Sequence, residues 1–376
     1  MAITLNAAKN SQSAIIAIGT ANPPYRQCQS ETAELIATSL NLKPAEKRLL
    51  KSVYKSTGIH QRYSVLSDYC KSPGEFEFFP TQDHIPFPST SSRMSKYKEH
   101  ALTLALSAIE DGFTNLHHFN KSEITHLITV SCTGMYAPGI DIEIVHALHL
   151  NSSTKRTAIN FMGCYGAFNA IKVADAICKS DSDATVLIVC VELCTIHFQR
   201  KMNIDNIISN AIFSDGAASL VIQSKPNQEK FFTLEIFHND LIPQTTQEMA
   251  WHIGDYGFDI ALSTYVPDMI ESGIATFAQN LLNKQDLILS DIDYYAIHPG
   301  GLKILQACEK ALAISEDDNK YSYEILRQYG NMSSATVLFV LKAIWEDIHD
   351  QHQQKNIFSC AFGPGLTLES MLLRTH

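Results

Sequence analysis

The chain has 376 residues, of which 45% are hydrophobic and only 18% are charged. This length suits one large domain or two fused domains with an ample core. A charged fraction below the usual quarter predicts extensive burial, either in the core or in an oligomer interface. The formal net charge of −10 argues against general nucleic-acid binding, although a local basic patch can still bind an anionic ligand.

The sequence also excludes several classes of site and location. It begins without a basic region followed by a long apolar stretch, and apolar runs such as Val186–Val191 are too short to span a bilayer. The nine cysteines contain no CxxC pair, so we expect reduced thiols that lie mostly in the core. No metal-ligand cluster, GxGxxG or P-loop spacing is present. We therefore expect a cytoplasmic protein without membrane insertion, metal or cofactor.

Short apolar runs rich in β-branched residues alternate with longer helical patterns along the chain. In chain order, the predicted strands are Ala14–Ile18, Leu127–Val130, Val186–Val191, Ala217–Ile222 and Tyr294–Ile297. The predicted helices are Leu102–Ile109, Ile140–Leu148, Phe168–Cys178, Leu302–Ala313 and Ala335–Ile348. This alternation indicates an α/β fold built from layers of helices and sheets.

The sequence repeats one pattern at a nearly constant offset. Segments 122–128 and 290–297 each lead into a turn and a helix, at an offset of 168 positions. Cys164 and Asn331, which are 167 positions apart, each precede a helix. This offset is far longer than a solenoid repeat, so it predicts a duplicated domain. We expect the first half to span 1–225 and the second 226–376, joined by the polar stretch 224–230.

Pseudo-symmetric halves would place Cys164 and Asn331 at matching strand-to-helix turns, with His298 at a strand end beside them. A thiol just before a helix meets unpaired N–H groups and the positive end of the helix dipole, which favour the nucleophilic thiolate. A histidine followed by Pro-Gly-Gly faces a cleft rather than a core. Cys164 alone is a weak signal, because a structural cysteine is the commoner case.

Together, the three side chains fit one reaction. A neutral imidazole and an amide can each donate a hydrogen bond to a thioester carbonyl and stabilise the enolate that forms from it. The thiolate of Cys164 can hold an acyl group while a malonyl thioester, polarised by His298 and Asn331, loses CO₂. The resulting enolate then attacks the acyl thioester. The sequence therefore predicts a decarboxylative Claisen condensation.

Several motifs in the right order resemble the signature segments of the chalcone and stilbene synthases, the type III polyketide synthases. The resemblance covers nearly the whole chain and rests on His298-Pro-Gly-Gly, Gly330-Asn-Met-Ser-Ser-Ala, Phe362-Gly-Pro-Gly-Leu-Thr, Phe213-Ser-Asp-Gly-Ala-Ala and Pro138-Gly139. It implies a thiolase fold, layered αβαβα with two pseudo-symmetric duplicated halves. It also implies that Cys164 is the nucleophile and that His298 and Asn331 are the donors.

The resemblance implies further roles and partners. Phe213 would be a gatekeeping aromatic residue where the CoA tunnel meets the cavity, and the substrates would be malonyl-CoA and an acyl-CoA starter. The partner would be a second copy of the chain, with the two-fold interface near Pro138 and a cis Ala137–Pro138 bond. Basic residues at i, i+3 and i+7 of one helical face would bind the CoA phosphates, although such spacing is usually only a solvated face; they are Arg48, Lys51 and Lys55.

The same resemblance places eight residues in the substrate pocket: Cys132, Thr133, Glu192, Cys194, His197, Trp251, Ile260 and Ser333. Only Glu192 and Ser333 match the plant pattern, and Ala137 stands where plant members have Met. Cys132 makes its segment more similar to bacterial members. These departures argue against a plant-like chalcone product. They favour an aliphatic starter and a pyrone, resorcinol or related product.

Two alternatives share parts of this pattern. A ketoacyl-ACP synthase III-like condensing enzyme uses the same Cys-His-Asn logic, but its His and Asn motifs usually read differently. A non-catalytic thiolase-fold partner subunit would not need the intact triad.

Overall fold

The computed structural model describes residues 12–72, 74–80, 86–114, 116, 119–243, 245–246, 248–349 and 354–376. The strands are β1 (Ala14–Ala21), β2 (Tyr25–Cys28), β3 (Gln61–Ser64), β4 (His126–Ser131), β5 (Lys155–Asn160), β6 (Thr185–Leu193), β7 (Asp215–Gln223), β8 (Phe232–Leu241), β9 (Met249–Gly254), β10 (Gly257–Leu262), β11 (Tyr294–Ile297), β12 (Asn356–Gly363) and β13 (Thr367–Thr375). The helices are α1 (Gln29–Ser39), α2 (Pro44–Ser56), α3 (Thr90–Phe113), α4 (Ile140–Ala147), α5 (Gly166–Ser180), α6 (Ile204–Ile212), α7 (Val266–Leu282), α8 (Leu302–Leu312), α9 (Lys320–Tyr329) and α10 (Thr336–Asp347).

The main sheet consists of two similar halves joined edge to edge. Its strand order is β11-β12-β13-β8-β1-β7-β6-β4-β5. Counted outward from the junction, β1, β7, β6 and β4 correspond to β8, β13, β12 and β11. In both series the first two pairings are antiparallel and the third is parallel. The junction itself is short, because β1 and β8 pair only through Ala14 with Thr233 and Ile15 with Phe232.

Five layers follow from the way the strands divide their side chains. Alternate residues of a strand point to opposite faces, and β6 is buried along its whole length, as expected for a strand covered on both faces. Ile188 packs into a central core with α5 and α10, whereas Val189 packs on the outer side with α3. In the second half, Met371 joins the central core and Leu372 packs outward against α7 and α8. The architecture is therefore the αβαβα thiolase fold.

The helices and strands predicted from the sequence are present. The expected cis peptide bond and the expected free, mostly buried cysteines are present as well. All five predicted strands and five predicted helices lie within or almost coincide with observed elements. The Ala137–Pro138 bond is cis, all nine cysteines are free, and only Cys28 and Cys70 are exposed. Within the described residues, no helix has both the length and the apolar character needed to cross a membrane. The exact boundary at 225/226 stays a prediction.

Candidate active site

Cys164 lies in a turn between β5, which ends at Asn160, and α5, which begins at Gly166. The preceding Gly163 has φ +80°, a left-handed conformation that favours glycine. A Cβ at this position would also lie 2.3 Å from Cδ of Pro364. The glycine therefore allows the turn to press against the other half of the molecule and turns the thiol toward the space between the halves.

Asn331 is held by the backbone of the first half. Its backbone N–H donates to the carbonyl of Ile212 (2.9 Å), and its backbone carbonyl accepts from the N–H of Ser214 (2.9 Å). The preceding Gly330 again has positive φ (+68°), and a Cβ there would lie 2.9 Å from the Ile212 carbonyl. The side-chain oxygen accepts from the Ser333 N–H at 2.8 Å. Both terminal atoms of the amide then lie 3.9 Å from Sγ of Cys164.

His298 directly follows β11, at the point where that strand ends against β12. Its backbone N–H donates to the carbonyl of Cys360 at 2.8 Å, and the N–H of Gly300 donates to the backbone carbonyl of His298 at 2.9 Å. Both ring nitrogens are buried and have no hydrogen-bond partner among the described residues. An imidazole with two free nitrogens is available to a ligand rather than committed to the scaffold.

Burial favours the neutral forms of the Cys164 thiol and the His298 imidazole. It raises the pKa of Cys164 to about 12, although hydrogen bonds from Asn331 and Ser333 act in the opposite direction. It also lowers the pKa of His298 to about 3. The expectation that the helix terminus alone favours the thiolate does not hold, because loss of hydration disfavours the charged form more strongly.

The side chains of Cys164, His298 and Asn331 all border one cavity of about 320 Å³. Of the other predicted site residues, Cys132, Phe213, Trp251, Ile260 and Ser333 border it. Its remaining walls are mainly apolar and include Ile204, Ile208 and Ile212 of α6. These isoleucines were missed from the sequence, although their i, i+4, i+8 spacing is the signal of one helical face.

Trp251 closes one end of this cavity. It lies on β9 opposite Ile260 of β10, and its indole N–H donates to the carbonyl of Cys132 at 3.1 Å. Trp251, Ile260 and Phe213 also border a second cavity of only about 20 Å³. The predicted pocket residues Cys194 and His197 border that second cavity and not the larger one. The tryptophan therefore separates the predicted pocket into two compartments.

Thr133 and Glu192 border neither of these two cavities. Both are fully buried. The Glu192 carboxylate accepts the Cys132 N–H (2.9 Å), the Thr133 hydroxyl (2.8 Å) and the Ser334 hydroxyl, while burial raises its pKa. This carboxylate thus braces the turn after β4 against the segment that follows Asn331.

The three predicted CoA-binding cations lie on the exposed face of α2. Lys51 forms an ion pair with Glu34, whereas Arg48 and Lys55 have no ion-pair partner among the described residues. A neighbouring face of the same helix contributes Val53 and Ser56 to the cavity wall. In the described part of the chain, no group of three or more His, Cys, Asp or Glu side chains could hold a metal ion.

Comparison with known proteins places the chain in a family. The model of the chalcone and stilbene synthase N-terminal domain matches residues 3–226, and the model of the C-terminal domain matches residues 233–376. The chain is 31% identical over 360 residues to the "alpha-pyrone synthesis polyketide synthase-like Pks18" of Mycobacterium tuberculosis, covering 94% of this chain and 89% of that protein. It is 28% identical to the 1,3,6,8-tetrahydroxynaphthalene synthase of Streptomyces peucetius subsp. caesius, covering 96% and 92%.

Solved structures agree with these matches. The C-terminal type III polyketide synthase domain of Steely1, a type I/III hybrid from Dictyostelium, superimposes with a TM-score of 0.89 at 27% identity, covering 96% of this chain and 99% of that one. PKS-I from the brown alga Ectocarpus siliculosus gives a TM-score of 0.87 at 29% identity, covering 97% and 98%. The chain therefore belongs to the chalcone and stilbene synthase family: it is a type III polyketide synthase, an acyltransferase that uses CoA thioesters.

Proposed function

We propose that the enzyme extends an acyl-CoA starter by iterative decarboxylative condensation with malonyl-CoA, with the growing chain held on Cys164. The observation that supports this proposal best is the convergence of a thiol, an unpartnered imidazole and an amide on one apolar cavity. These are the groups that acyl transfer and enolate formation require.

The first step is acyl transfer to Cys164. Because burial favours the neutral forms of both the Cys164 thiol and the His298 imidazole, the thiol proton must be transferred before the sulfur can attack. The free imidazole of His298 accepts this proton, and the thiolate attacks the starter thioester. The C–S bond to CoA breaks, the imidazolium of His298 returns the proton to the departing sulfur so that CoA leaves as its thiol, and the acyl group remains on Cys164.

The second step is decarboxylation. Nε2–H of His298 and Nδ2–H of Asn331 donate to the thioester carbonyl of malonyl-CoA, so the electron pair released with CO₂ is stabilised as an enolate. The enolate carbon then attacks the acyl thioester on Cys164, and the thiolate leaves. Losing one such donor costs on the order of 3 kcal/mol of barrier. The proposed cycle needs no metal and no cofactor besides the CoA thioesters.

Two assays test this reaction. Malonyl-CoA decarboxylation by the purified protein separates a condensing enzyme from a non-catalytic partner subunit. Mass spectrometry of products from an acyl-CoA panel with malonyl-CoA then identifies the starter and the number of extensions. Absence of both CO₂ release and extended products contradicts the proposal.

For the starter, we propose an aliphatic acyl group and a pyrone or alkylresorcinol product. The cavity walls are largely aliphatic, Trp251 narrows the space beyond them, and one relative is named for α-pyrone synthesis. Several extra buried methylenes at about 0.8 kcal/mol each favour a medium-chain acyl-CoA over 4-coumaroyl-CoA by about tenfold or more in kcat/KM. Equal or reversed preference in direct competition contradicts this assignment.

We also propose that Phe213 controls passage from the CoA tunnel to the cavity, because its ring lies at the cavity wall, with its centroid 6.0 Å from that of the Trp251 ring. We further propose that the cations of α2 bind CoA phosphates.

We propose that the enzyme is a homodimer with its interface near Pro138, where Met135 is 42% exposed. Light scattering of the purified protein tests the dimer, and a monomer contradicts it.

A further inference from the structure

The wall of the active-site cavity contains a charge that the sequence did not reveal. Of the described residues that border the cavity, Lys303 alone carries a permanent charge, since burial keeps His298 neutral. Lys303 lies in the first turn of α8, five positions after His298, and is exposed to solvent. The cation is thus at the mouth of the cavity, which we define by its exposed lining residues Ser56, Ile204, Thr264 and Lys303.

Lys303 is also uncommitted. It makes no hydrogen bond and no ion pair within the described part of the chain, whereas Lys51 and Lys47 of α2 both pair with Glu34. On the same helix as Lys303, Lys310 pairs with Glu271. An unpaired ammonium at the rim of an apolar cavity is available to an anionic group of the ligand that enters it.

The position of Lys303 fits a ligand with an anionic end outside and a reactive end inside. A Cβ placed on Gly58 would lie 3.3 Å from Leu302, so the chain that leaves α2 passes against the start of α8. Both halves of the molecule therefore border the mouth, the first through Ser56 of α2 and the second through Lys303 of α8. The thioester would lie at Cys164, and the phosphates would remain in the solvent-exposed mouth.

We propose that Lys303 binds a phosphate of the phosphopantetheine thioester that enters this cavity. The inference rests on the proposed function and assigns a residue of the second half to substrate recognition. Phosphopantetheine has two sources, free CoA and a carrier protein, which share one phosphate next to the pantetheine arm. Only CoA adds the second phosphate of the diphosphate and the 3′-phosphate.

The test compares wild type with Lys303→Met, which removes the charge and keeps the aliphatic stem, and with Lys303→Arg, which keeps the charge. Lys310→Met is the matched control, because it removes one charge from the same helix away from the cavity. Condensation is measured with malonyl-CoA, malonyl-phosphopantetheine and malonyl-N-acetylcysteamine, which lacks phosphate.

We expect Lys303→Met to raise KM about fivefold for the phosphate-bearing thioesters, with kcat and the N-acetylcysteamine reaction unchanged. Lys303→Arg and Lys310→Met should behave like wild type. An increase confined to malonyl-CoA assigns the contact to the phosphates that only free CoA carries. An increase with malonyl-phosphopantetheine as well assigns it to the shared phosphate. An unchanged KM, or an equal loss with all three substrates, overturns the proposal. Failure of wild type with every thioester instead overturns the proposed function.

Discussion

The two halves of the molecule place different chemistry on the same backbone. Each half has a left-handed glycine followed by a functional residue, just before the helix that enters the central layer. These pairs are Gly163-Cys164 in the first half and Gly330-Asn331 in the second. The shared geometry brings the two side chains to within 3.9 Å of each other. The fold therefore sets the position, whereas the side chain decides whether that position offers a thiol or an amide donor.

A second pair of positions obeys the same rule. Cys132 follows β4 directly and His298 follows β11 directly, 166 positions later, and both border the cavity. The halves differ where β5 would have its counterpart. At the offset of 167 positions, the second half has helix α9 in place of a strand. Asn331, which follows that helix, instead forms an isolated bridge with Phe213. This bridge ties a proposed catalytic residue of one half to the backbone of the other, so the site depends on both halves.

The largest test of this comparison is Cys164→Ala. Loss of the acyl attachment point should abolish extended products, by at least about 10³-fold, while the protein stays folded. The matched control is Cys132→Ala, which removes the other cysteine thiol that borders the cavity and should retain condensation. A Cys164→Ala enzyme that still extends an acyl-CoA would falsify the assignment of the nucleophile.

The next test concerns the donor at the equivalent position. Asn331→Asp keeps the size of the side chain but replaces its N–H donor with an acceptor, so malonyl-CoA decarboxylation should fall about 10²–10³-fold. His298→Gln keeps one amide donor and should lose less. Circular dichroism serves as the folding control. If Asn331→Asp retains full decarboxylation, the two equivalent turns do not divide the roles as proposed.

A third test uses acid. Burial raises the pKa of Cys132 well above its usual range, so only His298 of this pair titrates below pH 7. Its pKa is about 3 in the folded protein and 6.5 when unfolded. Below pH 6.5 the unfolded chain therefore binds a proton that the folded protein does not, and the free energy of unfolding falls as the pH drops toward 3. At pH 5 this loss is about 2 kcal/mol.

Denaturant unfolding of wild type and His298→Gln at pH 7 and pH 5 measures that decline. Between pH 7 and pH 5, the free energy of unfolding of the variant should fall by about 2 kcal/mol less than that of wild type. Asp215, whose pKa burial raises to about 7, acts in the opposite direction over this range, but it is present in both proteins and cancels. Identical losses in both proteins would show that His298 is hydrated, or charged, in the folded state.

The smallest effect expected is in product choice. Each half has a pair of antiparallel strands between its first strand and its outer helix. In the first half, α1 and α2 lie between β2 and β3 in the chain, whereas in the second half β10 follows β9 directly as a hairpin. Trp251→Ala should join the two cavities that the indole separates and shift the starter preference toward longer acyl chains by about tenfold. Trp251→Phe is the control and should change it less. Equal products from all three enzymes mean that the wall lies elsewhere.

The catalytic part of the site was more predictable than its walls, for a physical reason. Cys164, His298 and Asn331 follow strands or precede helices that local patterns reveal, and the duplication aligns their turns. Thr133 and Glu192 were assigned to the pocket by resemblance, yet a second hydroxyl besides that of Thr133, the hydroxyl of Ser334, also donates to the Glu192 carboxylate and closes a hydrogen-bond network behind the wall. Lys303 gave no signal in the sequence, because an exposed lysine on a helix is ordinary until the cavity beside it is visible.

The position of β13 has a consequence for synthesis on the ribosome. This strand, the last of the thirteen to be made, lies between β12 and β8 in the interior of the sheet rather than at its edge. The second half cannot close until this strand has been made, and until then β12 and β8 lack the strand that lies between them. Until this strand is made, the growing chain therefore exposes an apolar surface, the situation in which a chaperone binds. Removing β13 should leave that surface permanently open and yield insoluble protein, even though Cys164, His298 and Asn331 all precede the cut.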